Sequence, residues 1–564
     1  MKRRDFVKKL SAVSTIPFML DGIVFRNMSY GAPLQKLAAL CPNDNVLIIL
    51  QLHGGNDGVN MLVPYTSYDL YYNARPNIAL PENGRRKLIT LDSTLSNEQQ
   101  IGLHPSMTGI KNLYDQGKVN IVQGVSYENH NGSHFRSRDI MFMGGGASEY
   151  MSSGWVGRYL KNHYSPSQYP DDFPNADMQD PLALEFGNEV SLVFHQGDNI
   201  TTSIAINDPE DFFNLVTSLP GFEDIEGEDP RGLPPAILDG TPYSDELKWI
   251  LSLEQKTDQY DDRLLEAYRA GKRFDPGVIY PETYPFKAPS DRLKNPLTGP
   301  LKIIANLLSG GCKTKVFLVR IGGFDTHAEQ VDPSDRTMGN HAALLYHISE
   351  VMKSFQEDLR QRGQEERVLT VTTSEFGRRV YSNGSYGTDH GTGAPVMLFG
   401  SRVEPGVIGN NPDMQKDNVD MQHDYRQLYA SLLKDWMCVN PELVDREFGV
   451  FYGDYNGRGT TLPLIRQDAV GIRDFIYQRF RLNSCYPNPA THTTVISFYI
   501  NDPSPVEINL IDTNGQKIRT ILKDSLNMGE HQITANLRGL PPGLYYYEIK
   551  AGILQDTKKL IIAP

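Results

Sequence analysis

The sequence predicts an α/β protein with a mostly parallel sheet flanked by helices, followed by a C-terminal all-β sandwich of the immunoglobulin-like kind. Three observations predict it. Short, almost wholly apolar runs recur through the middle of the chain, and most break off into glycine and an ionisable or hydroxyl residue. Helical spacing lies between them, clearest from Asn340 to Arg362, where Leu344, Leu345, His347, Ile348, Val351, Met352 and Phe355 fall on one side. From Cys485 to Pro564 the pattern changes to period-two alternation with regular turns.

The 564 residues suit three or four domain-sized units, or one large domain with appendages. With 39% hydrophobic and 22% charged residues, the chain can bury a sizeable core and is neither disordered nor collagen-like. A net charge of −13 repels phosphate backbones, so no nucleic-acid partner is expected. The four cysteines (Cys41, Cys312, Cys438 and Cys485) form no CxxC pair, which argues against a thiolate zinc site or a disulfide-stapled fold. No run reaches the ~20 apolar residues that span a bilayer, so no transmembrane segment is expected.

Residues 1–35 read as an export signal. Lys2, Arg3, Arg4, Lys8 and Lys9 surround or precede a brief apolar stretch, Ser11 to Leu20. Arg3-Arg4 followed by Phe6 and Lys8 resembles a twin-arginine signal, which exports proteins already folded. A general secretory signal with an incidental arginine pair is the alternative. The first cysteine, Cys41, is too far along for a lipoprotein.

The α/β region is expected over residues 40–480. Asn45 to Leu52 runs into His53-Gly54-Gly55-Asn56-Asp57-Gly58, and Val119 to Val125 is followed by His130 through Arg136. Lys315 to Ile321 leads to Gly322-Gly323-Phe324-Asp325-Thr326-His327, and Val368 to Thr373 to Ser374-Glu375-Phe376-Gly377-Arg378. A fifth run, Ala394 to Phe399, is preceded by Asp389-His390-Gly391. Ligands of open α/β sheets collect beyond the carboxyl ends of the strands. One sheet edge would therefore gather Asp57, Ser133, Asp325, His327, Glu375 and His390. Carboxylates and imidazoles without thiolates suit a divalent cation, zinc first, with manganese, magnesium or calcium as alternatives. His53 and His104 read as structural turn residues, and Asp424 as the cap of a helix packed through Leu428, Leu432, Leu433 and Trp436. Residues 165–300 read as an insertion: Pro170–Pro181 and Phe222–Pro242 as surface loops, Ser244–Lys272 as a helix.

In the last segment, Val495–Ile500, Val506–Ile511, Gln532–Leu537 and Leu544–Ile549 alternate, with turns at Asn514-Gly515, Met528-Gly529 and Pro541-Pro542-Gly543. Tyr486-Pro487-Asn488-Pro489, Asp512 to Gly515, Gly529-Glu530-His531, Gly543-Leu544-Tyr545 and Lys558-Lys559-Leu560 resemble, in order, the C-terminal sorting domain of the type IX secretion system of Bacteroidetes. The resemblance implies the type IX machinery as a partner over residues 485–564 and passage through the outer membrane. It also implies removal of this domain, attachment to surface lipopolysaccharide, and a place on the outer-membrane surface or outside the cell. A carbohydrate-binding or immunoglobulin-like module is the alternative; it needs exposed aromatics on one face, and Tyr545, Tyr546 and Tyr547 are consecutive.

His53 to Asn60, Pro64-Tyr65, Gly132-Ser133-His134-Phe135, Gly154-Trp155-Val156-Gly157-Arg158, Gly322 to His327, Ser374 to Arg378 and Asp389-His390-Gly391 resemble the bacterial family called domain of unknown function 1501. That family is similar to the alkaline phosphatase and sulfatase superfamily. The resemblance implies an alkaline-phosphatase-like sheet with two cations at its edge and a nucleophile at a helix N-terminus. Carried over, Asp57, Asp325, His327, Glu375 and His390 would be ligands. Ser133 would attack phosphorus or sulfur, while Arg136 or Arg378 would hold the non-bridging oxygens. Two departures stand out. Phe376 follows Glu375 where the superfamily has a histidine, a gap that His134 or His130 could fill, and Asp325-x-His327 is a shorter spacing than usual. The expected function is hydrolysis of phosphate or sulfate esters at the cell surface. The rivals are a binding or accessory protein that keeps the fold without turnover, and a structural surface-layer component.

Overall fold

The computed structural model describes residues 44–206, 260–439, 444, 461–466 and 480–563, with breaks at 166, 198–199, 483–484, 501–502, 513–515, 528 and 552–553. It also describes 18–20 and 23–25; the remainder of the export signal, Phe222–Pro242 and residues 244–259 lie outside the described residues. The chain divides into two compact units, Asp44–Arg466 and a second comprising Met1–Asn43 with Gln467–Pro564.

The larger unit is built on a nine-stranded sheet. Its strands are β1 (Val46–His53), β2 (Val119–Ser126), β3 (Ala183–Phe186), β4 (Ser203–Ile206) and β5 (Val316–Gly322). The rest are β6 (Val368–Thr373), β7 (Ala394–Phe399), β8 (Gly406–Ile408) and β9 (His423–Asp424). The lateral order is β4-β3-β5-β1-β6-β7-β2-β8, with β9 also pairing with β2. All these pairings are parallel except the two that β7 makes with β6 and β2. In register, His53 faces Gly322 and Gln51 faces Thr373, so β1, β5 and β6 end at a common edge.

Two expectations are corrected here. The apolar texture of Ala394–Phe399 groups it with the parallel strands, yet it is antiparallel. The connection from Ser374 to Gly393 contains no helix to carry the chain back across the sheet, so β7 starts at the edge where β6 ends. That reversal brings His390, which precedes a strand, to the edge occupied by residues that follow strands. The 165–300 segment also does more than decorate. It supplies β3 and β4, each of four residues and too short to stand out as a period. Residues 260–272 are helical, the described part of the helix expected over Ser244–Lys272.

The helices that bear on the core and the site are α1 (Gly58–Met61), α2 (Tyr68–Ala74), α3 (Thr108–Asp115), α4 (His134–Met143), α5 (Thr298–Ser309), α6 (Asn340–Gln361) and α7 (Tyr425–Ser431). Helix α6 buries the seven residues expected of it. One core cluster joins its Leu344, Ile348 and Phe355 to Ile110 of α3, Ile304 of α5 and strand residues such as Ile48 and Phe317. Each such burial contributes roughly 1.5–3 kcal/mol. Asp424 caps α7 in a capping box with Gln427, as expected.

His341, in the first turn of α6, is buried against Phe324 with Nε2 3.2 Å from Asn56 Oδ1. Burial pushes its imidazole down to about 4. An unfolded imidazole titrates near 6.5, so below that pH the unfolded chain takes up a proton that the folded chain refuses. Folding stability should therefore decline as pH falls from about 6.5 towards 4, at up to ~1.4 kcal/mol per unit from this group, and level off below. Urea titrations of wild type and H341Q across that range should give the shallower decline in the variant; identical slopes would rule the effect out.

The smaller unit contains β10 (Phe480–Leu482), β11 (Thr493–Ile500), β12 (Ser504–Ile511), β13 (Lys517–Leu526), β14 (Gly529–Asn536), β15 (Gly543–Ala551) and β16 (Leu554–Ile562). They form two antiparallel sheets, β10-β11-β14 and β13-β12-β15-β16. Ile496 and Phe498 from one meet Ile508, Leu510, Tyr547 and Ile549 from the other in a shared core. Tyr545, Tyr546 and Tyr547 are all buried, so they offer no sugar-stacking platform. Cys312 and Cys485 are free, whereas Cys438 is disulfide-bonded, a link the cysteine spacing gives no reason to expect.

Candidate metal centre

Beyond the carboxyl ends of β1, β2, β5 and β6, three imidazoles and a carboxylate converge. His134 opens α4, Asp325 and His327 follow β5, and His390 lies before β7. Nε2 of His327 is 2.9 Å from Nε2 of His390. Asp325 Oδ1 is 3.3 Å from the first and 3.4 Å from the second, and its Oδ2 is 3.5 Å from Nε2 of His134. Donor atoms of His134, Asp325 and His390 all lie within 4.8 Å of one another.

The other nitrogen of each ring is already engaged. His134 Nδ1 is 2.8 Å from Glu375 Oε1, His327 Nδ1 is 3.2 Å from Asp389 Oδ1, and His390 Nδ1 is 2.8 Å from the Gly132 carbonyl. An ionised carboxylate or a carbonyl can only accept, so each Nδ1 must donate. Each neutral ring then presents a bare Nε2 lone pair to the common space. Two such lone pairs at 2.9 Å repel unless a proton or cation lies between or beside them. Nε2 of His134 is buried and lacks a hydrogen-bond partner. A tetrahedron with ~2.0–2.1 Å bonds separates its donors by about 3.3–3.4 Å, close to the spacings of His327 and His390 from Asp325 Oδ1. The donors that all lie within 4.8 Å of one another are those of His134, Asp325 and His390, without His327. The donor set fits a divalent cation.

The surrounding residues fix these donors. Arg378 is fully buried and donates to Asp325 Oδ1 at 2.6 Å, to the carbonyls of Gly55 (2.8 Å), Thr388 (2.9 Å) and Phe324 (3.2 Å), and to that of Gly54. Burial pushes the Asp325 carboxyl up, but Arg378 outweighs it and holds the group below its ordinary range. For Glu375, burial likewise pushes up, while the bond from His134 and the Gly54 amide bring it below its ordinary range. Burial also lowers the His390 imidazole, partly offset by its bond to Gly132. Phe376 packs beneath two of the rings, its centroid 4.7 Å from that of His134 and 4.6 Å from that of His390. Gly54 has φ +120°, and a Cβ there would stand 2.3 Å from the Asp325 amide, so only glycine lets β1 approach this loop.

Of the residues named from sequence, Asp325, His327 and His390 come together, and the others take different positions. Asp57 is fully buried, capping α1 and accepting from Arg75 and Gln330 at 2.6 Å each. Its oxygens are spent on those donors rather than offered to the cluster. Glu375 stands behind His134 as its hydrogen-bond acceptor, although its Oε2 has no partner. Arg378, expected to hold a substrate anion, is consumed by carbonyls and Asp325. Arg136 likewise donates to the carbonyls of Ala147 (2.9 Å) and Glu149 and stacks 3.9 Å over Tyr150. Ser133 is exposed, caps α4 through Oγ, and lines an open depression of about 500 Å³ with Phe135, Arg136 and Tyr150. It is flanked by Gly132 and His134, which both serve the centre.

His134, offered from sequence only as a substitute, is the further candidate donor, and Asp389, absent from the sequence-derived set, orients His327. Both had a signal. His134 sits beside the expected nucleophile at a helix start, and its Nδ1 lies 2.8 Å from Glu375 Oε1. His53 lies 3.6 Å from Glu375, and buried His104 accepts the Ser106 amide at 3.0 Å, a structural role as expected.

Residues 305–458 match the family described as "Protein of unknown function (DUF1501)", and residues 484–563 match the "Secretion system C-terminal sorting domain". The second match marks the chain for export by the type IX secretion system, to the surface or beyond. No curated protein matches. Among solved structures, a member of the alkaline phosphatase superfamily from Vibrio parahaemolyticus is 11% identical with TM-score 0.29, covering 95% of this chain and 88% of that one. A Bacteroides thetaiotaomicron structure described under metabolism of multiple glycosaminoglycans is 9% identical, TM-score 0.30, with coverages of 85% and 89%. A sulfatase from Pseudoalteromonas sp. is 10% identical, TM-score 0.28, with coverages of 90% and 86%. Among the described residues no helix is long and apolar enough to cross a membrane.

Proposed function

We propose that this chain is an exported metal-dependent hydrolase of phosphate or sulfate esters, with zinc held by His134, His327, His390 and Asp325. One observation carries the reading: the Nε2 atoms of His327 and His390 face each other at 2.9 Å beside Asp325, with both Nδ1 atoms bonded elsewhere. Three imidazoles and one carboxylate suit zinc, ahead of the harder manganese, magnesium and calcium. When bound, such a cation acts as a Lewis acid towards a phosphoryl or sulfuryl oxygen.

The chain's own residues do the remaining work. Glu375, Asp389 and the Gly132 carbonyl keep the three rings in the ligating tautomer, and Arg378 holds Asp325 in place. Ser133 gives its hydroxyl proton to solvent water, and Oγ bonds to phosphorus or sulfur as the bond to the alcohol oxygen breaks. That oxygen takes a proton from solvent, and water then cleaves the serine ester. In this reading the N-terminal segment is a twin-arginine signal. The sorting tail is removed and the body is anchored to lipopolysaccharide.

Purified protein should contain about one zinc per chain and hydrolyse members of a panel of aryl phosphates and sulfates. S133A should keep the metal and lose turnover to background; unchanged turnover would remove Ser133 from the mechanism. The accessory-protein reading has one observation in its favour, the commitment of both Arg136 and Arg378 to backbone carbonyls. Metal without hydrolysis across the panel would establish it instead.

A further inference from the structure

We infer that Gln330 is a positioning residue that sets the gap between the two loops carrying the metal donors, with Asp57 as its anchor. The inference rests on the proposed metal centre. One loop carries Asp325 and His327, the other His390. Between them Gln330 is fully buried. Its side-chain oxygen accepts from Thr326 Oγ1 at 2.9 Å and from Thr388 Oγ1 at 3.0 Å. Thr326 lies between the ligands Asp325 and His327, and Thr388 lies two residues before His390. An amide oxygen has two lone pairs, so each loop takes one.

The orientation of that amide is fixed by its other end. Gln330 Nε2 donates to Asp57 Oδ2 at 2.6 Å, and an ionised carboxylate only accepts, so the amide cannot be flipped. Burial pushes the Asp57 carboxyl up, but Arg75 more than reverses this and keeps it ionised. Arg75 also donates to the carbonyls of Arg379 and Val380, at 2.7 Å each, just beyond Arg378. Asp57, Arg75, Gln330, Thr326 and Thr388 are all buried to within 1%. No water competes for these bonds, and loosening one leaves an unpaired polar group in the interior.

The loops also approach through their main chains. Thr388 donates its amide to the Thr326 carbonyl at 3.1 Å. A Cβ on Gly387 would stand 2.4 Å from the carbonyl oxygens of both Thr326 and His327. Main chain and Gln330 thus clamp the same two threonines from two sides. The His327–His390 gap is the distance this clamp sets.

The test is titration of the full chain with cobalt(II), following its ligand-field absorption, with urea stability measured alongside. Q330M keeps the volume and removes all three bonds. It should weaken cobalt binding by about tenfold or more, the range for residues that orient ligands, and alter the absorption bands. The pair T326V/T388V should do the same, while T326S/T388S, which keeps both hydroxyls, should stay within about twofold of wild type. Binding and bands in Q330M and the valine pair indistinguishable from wild type would overturn the inference while leaving the metal centre standing. A wild-type chain that takes up no cobalt would instead overturn the metal centre itself. Should Q330M fail to fold, the contrast between the valine and serine pairs decides alone.

Discussion

H390A is expected to leave the purified protein with almost no bound cation. His390 faces three other donors at once, and its loss opens the centre on the side where His327 and His134 depend on it. The loss of affinity should exceed the ~10–100-fold typical of residues that only orient ligands. D389N supplies that smaller comparison, since Asp389 touches His327 and not the central space. Metal content measured after gel filtration, beside competition with a chelator of known affinity, checks both. Retention of a full complement of metal by H390A would exclude His390 as a ligand and, with it, the four-donor centre. Near-wild-type unfolding in urea distinguishes loss of a ligand from loss of the fold.

R75M should be the most destabilising of these changes. The Arg75–Asp57 pair is 2.6 Å long with both side chains wholly buried, and Arg75 makes further bonds to Asn60 and to two carbonyls. Removing one partner of a buried pair strands the other charge, at a cost of roughly 3–5 kcal/mol. The double variant D57N/R75M removes both charges and should recover part of that loss. Urea midpoints for the two singles and the double give the coupling directly. If D57N weakened metal binding far more than Q330M does, at unchanged stability, Asp57 would return to the ligand set. A double variant no better than R75M would show that Arg75 acts through its carbonyl bonds alone.

How much of this is legible in the sequence depends on distance along the chain. Strands β1, β2, β5 and β6 are apolar enough to be seen one at a time, and helix α6 repeats its pattern over several turns. The edge residues Asp325 and His327 follow from β5 by the rule that ligands gather at strand ends, whereas His390 precedes β7 and reaches the edge through the reversal of that strand. Direction is harder, because antiparallel and parallel buried strands have the same apolar texture; β7 is misread for that reason. Asp57 is misread because a buried carboxylate and an exposed ligand look identical until the cation beside it is known. Its cation is Arg75, eighteen residues on, and nothing in the spacing marks the pair. Glu375, named as a ligand, is bonded to His134, and Arg378, named as an anion holder, is bonded to Asp325. Both support the donors from behind, a distinction of a few ångströms that no motif encodes.

The reversal of β7 and the placing of His134 on α4 have a consequence for assembly. The proposed donors come from positions 134, 325, 327 and 390, and the first lies outside the residues matched to the known family. Closing so long a loop is entropically costly, and an ion that bridges its ends returns part of that cost only once both halves have met. Capture of the proposed ion would thereby be coupled to completion of the whole α/β body.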